Sequence, residues 1–354
     1  MDWYYLIYIV ALSGVPICLI NDAPLRLRCQ KYYFVVLVAL LVLFAGLRSS
    51  DVDRDYTNYL EWFNGIAAGE LPFQDWFKDP AFVLISYAVA SLGMGYVVLT
   101  LIYAAVSVRA KLYFSQMVSQ GRWLTLFFYL VLCRSFIRHE MTQTRAGVAI
   151  AIMSISILLA LRGEKRKAGL LYFMALMFHL SVILGLPILL LTLWGFRIRS
   201  RLWLAPLVPL ALVLKYALRN VLQLFAAFSR VTPYLNGDYD TAHVRVFTAY
   251  FLIRIAALLF VLLVFWDKLS AEQRLATFCG SVGIFLLISL SSNDALALRS
   301  ADIFGLFELM VFMIPMHFLK GNLRIVYAVY IILLGLGFFH ASLDLIGPYQ
   351  WIFA

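Results

Sequence analysis

Long apolar runs separated by short, basic connections dominate the chain. The runs fall at roughly 3–20, 32–47, 81–108, 123–137, 143–161, 168–194, 202–218, 247–266, 274–290, 302–318 and 323–340. None of them alternates with period two, so they do not read as strands of a membrane barrel. Segments of about 17–25 apolar residues match a hydrocarbon core of ~30 Å at 1.5 Å per residue. The pattern predicts an all-α polytopic integral membrane protein of about 10–12 transmembrane helices, one membrane domain over 1–354.

The connections "RLRCQK", "VRAKLYFSQMVSQGR", "RGEKRK", "RIRSR", "DKLSAEQR" and "KGNLR" are short and basic. Placing them all in the cytoplasm satisfies the positive-inside rule and puts both termini outside. The longest outside segments are then 48–80 and 219–246. One run conflicts with this placement. Residues 168–194 lie between two basic clusters that belong on the same side, so the run must turn back as a broken or re-entrant pair near His179–Pro187. A similar break is expected at "LGMGY", Leu92–Tyr96. The first run lacks a basic flank and a clear cleavage site, and reads as a retained helix.

Composition agrees with this. Of 354 residues 64% are hydrophobic and 14% charged, with a mean hydropathy of +0.89, more apolar side chain than a soluble protein of this length can bury. The net charge of +10 therefore reports topology before it reports nucleic acid, which is not an expected partner. Cys18, Cys29, Cys133 and Cys279 have no paired spacing, and zinc-protease, P-loop and nucleophile-elbow motifs are missing. Neither a metal nor a cofactor is expected.

Charge gathers instead in a few places. "GLRSSDVDRDYTNYLEWF" (Gly46–Phe63) carries Arg48, Asp51, Asp53, Arg54, Asp55 and Glu61 directly after an apolar run. Its alternate aspartates resemble the metal motif of some glycosyltransferases, and read equally well as an acidic turn. "SFIRHEMTQTRAGVAIAI" (Ser135–Ile152) carries Arg138, His139, Glu140 and Arg145; on a continuous helix the two arginines would share one face. Arg254 lies inside an apolar helix, and Arg299 at the outer mouth of another with Asp302 three residues on and Glu308 deeper. His179 stands alone on an apolar background. His243 sits beside Asp238, Asp240 and Arg245 in the second outside segment, where a histidine can act as a base or be plain loop surface. The basic residues outside are mostly arginine, whose planar fork suits diphosphate oxygens, so an anionic ligand is expected on the outer side.

Taken together, these stretches resemble the EpsG-like branch of the Wzy family, the polymerases of bacterial surface polysaccharide. "GLRSSDVDRDYTNY" resembles that family's Arg followed by Gly-x-Asp-Tyr-x-x-Tyr, carried by Arg48, Asp55, Tyr56 and Tyr59, with Asp53 where glycine is usual. "TQTRAGVAIAI" resembles a helix start centred on Arg145, with Gly147 where a longer residue is common. "LMFHLSVILGLPILL" matches a Phe-His-x-Ser segment ending in proline, with His179, Ser181 and Pro187. "LALRSADIF" resembles the late arginine, Arg299, and "GPYQWIF" the terminal Pro-Tyr.

The resemblance implies a GT-C-like fold in the bacterial inner membrane and the joining of O-antigen-type repeat units on its periplasmic face. Substrates would be undecaprenyl-diphosphate-linked oligosaccharides, and a chain-length regulator is an implied partner. Such a reaction needs cations where the diphosphate leaves and a base for the attacking hydroxyl. Arg145 and Arg299, then Arg48, Arg138 and Arg254, are the expected diphosphate ligands. Asp55, His139 and His179 are the candidate bases, and Tyr56 and Tyr59 candidate sugar contacts. The alternatives are a ligase, which usually carries a much larger outside loop, and a flippase or transporter, for which no inverted repeat is visible.

Overall fold

The computed structural model describes residues 2–53, 55–70, 78–119, 121–224 and 247–353. Among them secondary structure is helical, apart from one isolated antiparallel bridge between Arg48 and Trp351. The helices are α1 Asp2–Ser13, α2 Ala23–Gly46, α3 Tyr56–Ala68, α4 Pro80–Ser91, α5 Tyr96–Val118, α6 Leu124–Ser135, α7 Thr144–Leu161, α8 Lys165–Phe178, α9 Leu186–Leu193 and α10 Leu207–Leu224. Later in the chain come α11 Ala249–Phe260, α12 Ala271–Ser289, α13 Asp294–Asp302, α14 Gly305–Phe318 and α15 Gly321–Leu343.

Six of the described helical spans are long and apolar enough to cross a membrane: Ala23–Gly46, Tyr96–Val118, Thr144–Leu161, Ala249–Lys268, Ala271–Ser289 and Gly321–Leu343. Shorter apolar helical stretches cover Trp3–Leu19, Pro80–Ser91, Leu180–Leu193 and Gly305–Phe318. Rows of large apolar side chains point outward, among them Tyr32, Val35 and Val36 on α2 and Leu323, Ile325 and Val326 on α15. Exposed rows of that kind suit lipid, not water. The chain is an all-α polytopic membrane protein.

The expected breaks are present. α4 and α5 are separated at Gly93, whose φ of 70° is a left-handed turn that a glycine adopts without steric cost. The run 168–194 breaks at His179, which is extended (φ −162°, ψ 125°) and ends α8; a 3-10 turn, Leu180–Gly185, then leads into α9 through Pro187. In the segment after α2 the tyrosines and Phe63 recur on one side and form the amphipathic helix α3. One expectation needs correction. "VRAKLYFSQMV" is not a connection: it continues α5 as helix, carrying Lys111 into the protein interior. α6 and α7 are separate helices, as the separate runs 123–137 and 143–161 lead one to expect.

The chain divides into two compact units. The first comprises Met1–Leu159, Glu164–Ile183 and Lys320–Ala354; the second comprises Ala160–Gly163 and Leu184–Leu319. In the first unit the chain ends meet the turn after α2. Ser49 N donates to Gln350 O (2.9 Å), Ile352 N to Leu47 O (2.9 Å) and Gly347 N to Val52 O (2.9 Å). Tyr349 stacks on Phe44 at 4.0 Å and its hydroxyl donates to the Phe44 carbonyl at 2.8 Å. Tyr4, from α1, donates to Gly347 O at 2.9 Å. The terminal Pro-Tyr stretch thus closes the backbone polar groups of the turn that carries Arg48, which would otherwise be left unpaired.

Candidate functional site

Arg48 is wholly enclosed. Its Nε donates to Asp53 Oδ2 at 2.9 Å, Nη1 donates to the Ala45 carbonyl, and the guanidinium lies 5.5 Å from the Tyr56 ring centroid. Nη2 is buried without a hydrogen-bond partner. Asp53 also accepts from Asp55 N at 2.8 Å, which sets the start of α3. Burial pushes the Asp53 carboxyl above the usual carboxylate range, against the pull of Arg48. Asp51 is exposed and Asp53 is taken by Arg48, so the alternate aspartates do not converge; no group of three metal-ligating side chains occurs among the described residues. Asp55 stays half-buried at the head of α3.

On α3, Tyr56, Tyr59, Phe63 and Ile66 form the buried stripe. Tyr56 meets Tyr96 edge-on at 5.0 Å, and Trp62 stacks on Phe82 of α4 at 4.4 Å. The faces of Tyr56 and Tyr59 are therefore occupied by protein, while Trp62 is only half-buried. These rings hold Arg145. Its guanidinium carbon lies 4.7 Å from the Tyr59 centroid, 4.9 Å from Trp62 and 5.7 Å from Phe82, a cation–π enclosure on several sides. Lys78 adds a second cation 5.5 Å from the Trp62 centroid.

The carboxylate partner of Arg145 is Asp79, which accepts from Arg145 Nη1 at Oδ2 and approaches His179 Nδ1 at Oδ1, 3.3 Å away. Asp79 is 3% exposed at its side chain, Arg145 16% and His179 33%, so only the histidine opens substantially outward. Beneath lie Phe178, Phe82 and Tyr103 of α5; the Tyr103 hydroxyl and Arg145 Nε are buried without hydrogen-bond partners. The geometry follows from three chain breaks. Pro80 opens α4 immediately after Asp79, α7 begins one residue before Arg145, and α8 ends one residue before His179. Each group thus sits on a short non-helical junction or at a helix end, where its side chain can turn toward the others.

Arg138 and His139 lie on a π-helical turn, Phe136–Thr142, between α6 and α7. The turn ends at Gln143 and the chain folds back sharply: a Cβ on Gly147 would stand 2.6 Å from His139 Cβ. Arg138 and Arg145 therefore do not share a helix face, and a side chain at position 147 would collide with His139. His139 is 3% exposed, with Nδ1 3.2 Å from Lys111 Nζ. Lys111 also pairs with Glu140 Oε1 at 2.5 Å, which accepts from Ser107 at 2.8 Å. Arg138 is half-buried on the same turn.

The second unit holds Arg254 and Arg299. Arg254 is 5% exposed, pairs with Glu308 Oε2 at 2.6 Å, and lies 5.4 Å from the Tyr250 centroid; Tyr250 donates to the other oxygen of Glu308. An intramembrane arginine is thus neutralised within α11 and α14, as burial of a charge demands. Arg299 is half-buried in the last turn of the short helix α13, one turn ahead of α14. His243, Asp238, Asp240, Arg245 and Arg54 lie outside the described residues.

Sequence reasoning missed Asp79, Tyr103 and Lys111. Asp79 reads as an ordinary residue before proline, and nothing in its neighbourhood reveals partners 66 and 100 positions away. Lys111 was hidden by its basic neighbours. A usable signal was the spacing Tyr103, Ser107, Lys111, four apart on one helix, which places polar groups on a single stripe of α5.

Comparison with known proteins places these residues in a wider group. The EpsG family model matches residues 31–351. The chain belongs to the EpsG family. The match runs from within α2 to the terminal Pro-Tyr stretch and so includes Arg48, Asp79, Arg145, His179, Arg254 and Arg299. Membership supports a polymerase-like, glycosyl-transferring role in polysaccharide biosynthesis at a membrane. No curated protein and no solved structure is matched by this chain.

Proposed function

We propose that this EpsG-family protein joins undecaprenyl-diphosphate-linked oligosaccharide repeat units of a surface polysaccharide such as O-antigen. In this reading it is a GT-C-like glycosyltransferase working on the periplasmic face of the inner membrane. The observation that carries the proposal is the Arg145–Asp79–His179 arrangement, in which a caged arginine shares one carboxylate with a partly open histidine.

A hydroxyl of the incoming unit attacks the anomeric carbon of the growing chain. The carbon–oxygen bond to diphosphate breaks, and its electron pair leaves with undecaprenyl diphosphate. Charge develops on the leaving oxygens, so a fixed guanidinium stabilises the transition state more than the ground state. Arg145 fits that role because its position is set before substrate arrives, by aromatic faces and Asp79. With the Nδ1 proton directed at Asp79, the Nε2 lone pair of His179 takes the hydroxyl proton. Asp79 orients the ring, as a carboxylate does in other histidine-based sites. The Tyr103 hydroxyl and Arg145 Nε, buried without partners, form the floor beneath this group. Lys78 and Trp62 flank the site as a second cation and an accessible aromatic face. Arg299 remains a proposed diphosphate ligand, and a chain-length regulator a proposed partner.

The test is deletion of the gene in its host followed by electrophoresis of the surface polysaccharide. Loss of the ladder with retention of lipid core bearing one repeat unit supports polymerisation. Loss of every capped species contradicts it and supports a ligase or a flippase.

A further inference from the structure

The second unit contains a cavity of about 270 Å³ that the transfer reaction does not use. It lies at the N-terminal end of α12, against the irregular stretch that follows α9. Arg197, Arg199 and Arg274 line it over an apolar wall that includes Leu161, Phe196 and Leu275. That space takes a phosphate with a few attached carbons and is too small for a whole lipid.

Three features make the cavity electropositive. Arg274 keeps its Nε buried without a partner, while its guanidinium carbon stands 5.6 Å from the Trp266 centroid. α12 begins with Ser270 and Gln273 capping each other, at 3.2 and 3.0 Å, so its positive end is fixed in place. The adjacent carboxylate, Glu272, is held by a further arginine, Arg162, at 2.7 Å. Ala271, the first residue of the helix, lines the same space.

We propose that this cavity is a phosphate-binding site whose occupant is the headgroup of an anionic membrane lipid. Arginine forks match phosphate oxygens, the helix start adds positive potential, and the apolar wall receives the glycerol carbons. The site is separate from Arg299: Ala301, two residues beyond Arg299, packs at Gly283, about 18 Å along α12 from Ala271 at 1.5 Å per residue. Its arginines come from the basic connections that the positive-inside rule assigns to the cytoplasm.

The full-length protein, purified in a neutral detergent, is titrated with phosphatidylglycerol or phosphatidylcholine, and bound lipid is read by native mass spectrometry. Arg197 and Arg199 are exposed, so Arg197→Gln/Arg199→Gln keeps the fold. The expected result is saturable binding of phosphatidylglycerol over phosphatidylcholine, weakened roughly tenfold or more in that variant. The control Lys165→Gln/Arg166→Gln removes equal charge from another basic connection and leaves binding unchanged. Equal losses in both variants, or no loss in either, overturn the site. Millimolar inorganic phosphate divides the sources: failure to displace the lipid assigns the headgroup, and complete displacement assigns the same site to soluble phosphate.

Discussion

His179 Nδ1 lies 3.3 Å from Oδ1 of Asp79, a residue one hundred positions earlier in the chain. The other oxygen of that carboxylate holds Arg145. One buried anion therefore holds both Arg145 and His179, the cation and base of the proposed transfer, and its loss affects both at once.

Asp79→Asn is the sharpest variant. Asparagine keeps the volume but removes the charge, leaving Arg145 uncompensated and the imidazole without its orienting carboxylate. Transfer falls by about 10²–10⁴, measured as product formed per unit of membrane-inserted protein. Activity within a factor of two of the parent would remove Asp79 from the site.

Arg145→Lys keeps a positive charge and loses the planar group that lies against Tyr59, Trp62 and Phe82. Arginine and lysine are not equivalent at stacked, bidentate positions. The expected loss is at least about tenfold, with ΔΔG‡ of ~1.4 kcal/mol or more, and Arg145→Ala abolishes the polysaccharide ladder. Full activity in the lysine variant would show that charge alone suffices.

Arg48 behaves differently, because it is sealed beside Asp53. Asp53→Asn leaves a buried, unpaired guanidinium, at a cost of about 3–5 kcal/mol. The consequence is a lower unfolding temperature in detergent and less protein in the membrane, with normal activity per folded molecule. Unchanged stability would mean that water or lipid reaches Arg48.

Gly147→Ala places a methyl 2.6 Å from His139 Cβ. The fold-back after the π-helical turn must open, costing about 1–3 kcal/mol, and Arg145 two residues away shifts with it. Activity and thermal stability should both fall; a fully active, fully stable variant would contradict the tight reversal.

Chelation is expected to leave activity intact, since Asp53 is committed to Arg48 and the alternate aspartates do not converge. Abolition by EDTA with rescue by magnesium would restore a metal role for that stretch.

The membrane fold was legible because lipid requires long apolar helices, and glycine or a charge conflict marks where they break. Gly93 and the turn at His179 were both readable for that reason. Arg145 and His179 also stood out, since each interrupts an apolar background. Their common partner did not, because pairing across 66 and 100 residues follows from helix packing and leaves no local pattern. Lys111 was misplaced by the same rule that placed its neighbours: basic residues near a helix end count as connection until a carboxylate, here Glu140, is seen to hold them inside. Tyr56 and Tyr59 looked like a sugar platform, yet periodicity in α3 turns them toward Tyr96 and Arg145. Burial pushes the Tyr59 phenol above its ordinary value, against the pull of Arg145, so it serves as a neutral face for the guanidinium.

The most direct measurement is repeat-unit transfer by the purified protein in lipid vesicles, following chain growth and undecaprenyl diphosphate release together. The parent protein should release one undecaprenyl diphosphate per unit added, and His179→Ala and Asp79→Asn should lose both signals in parallel, counted per folded molecule. Chain growth that persists in both variants would contradict the assignment of the site to Arg145, Asp79 and His179.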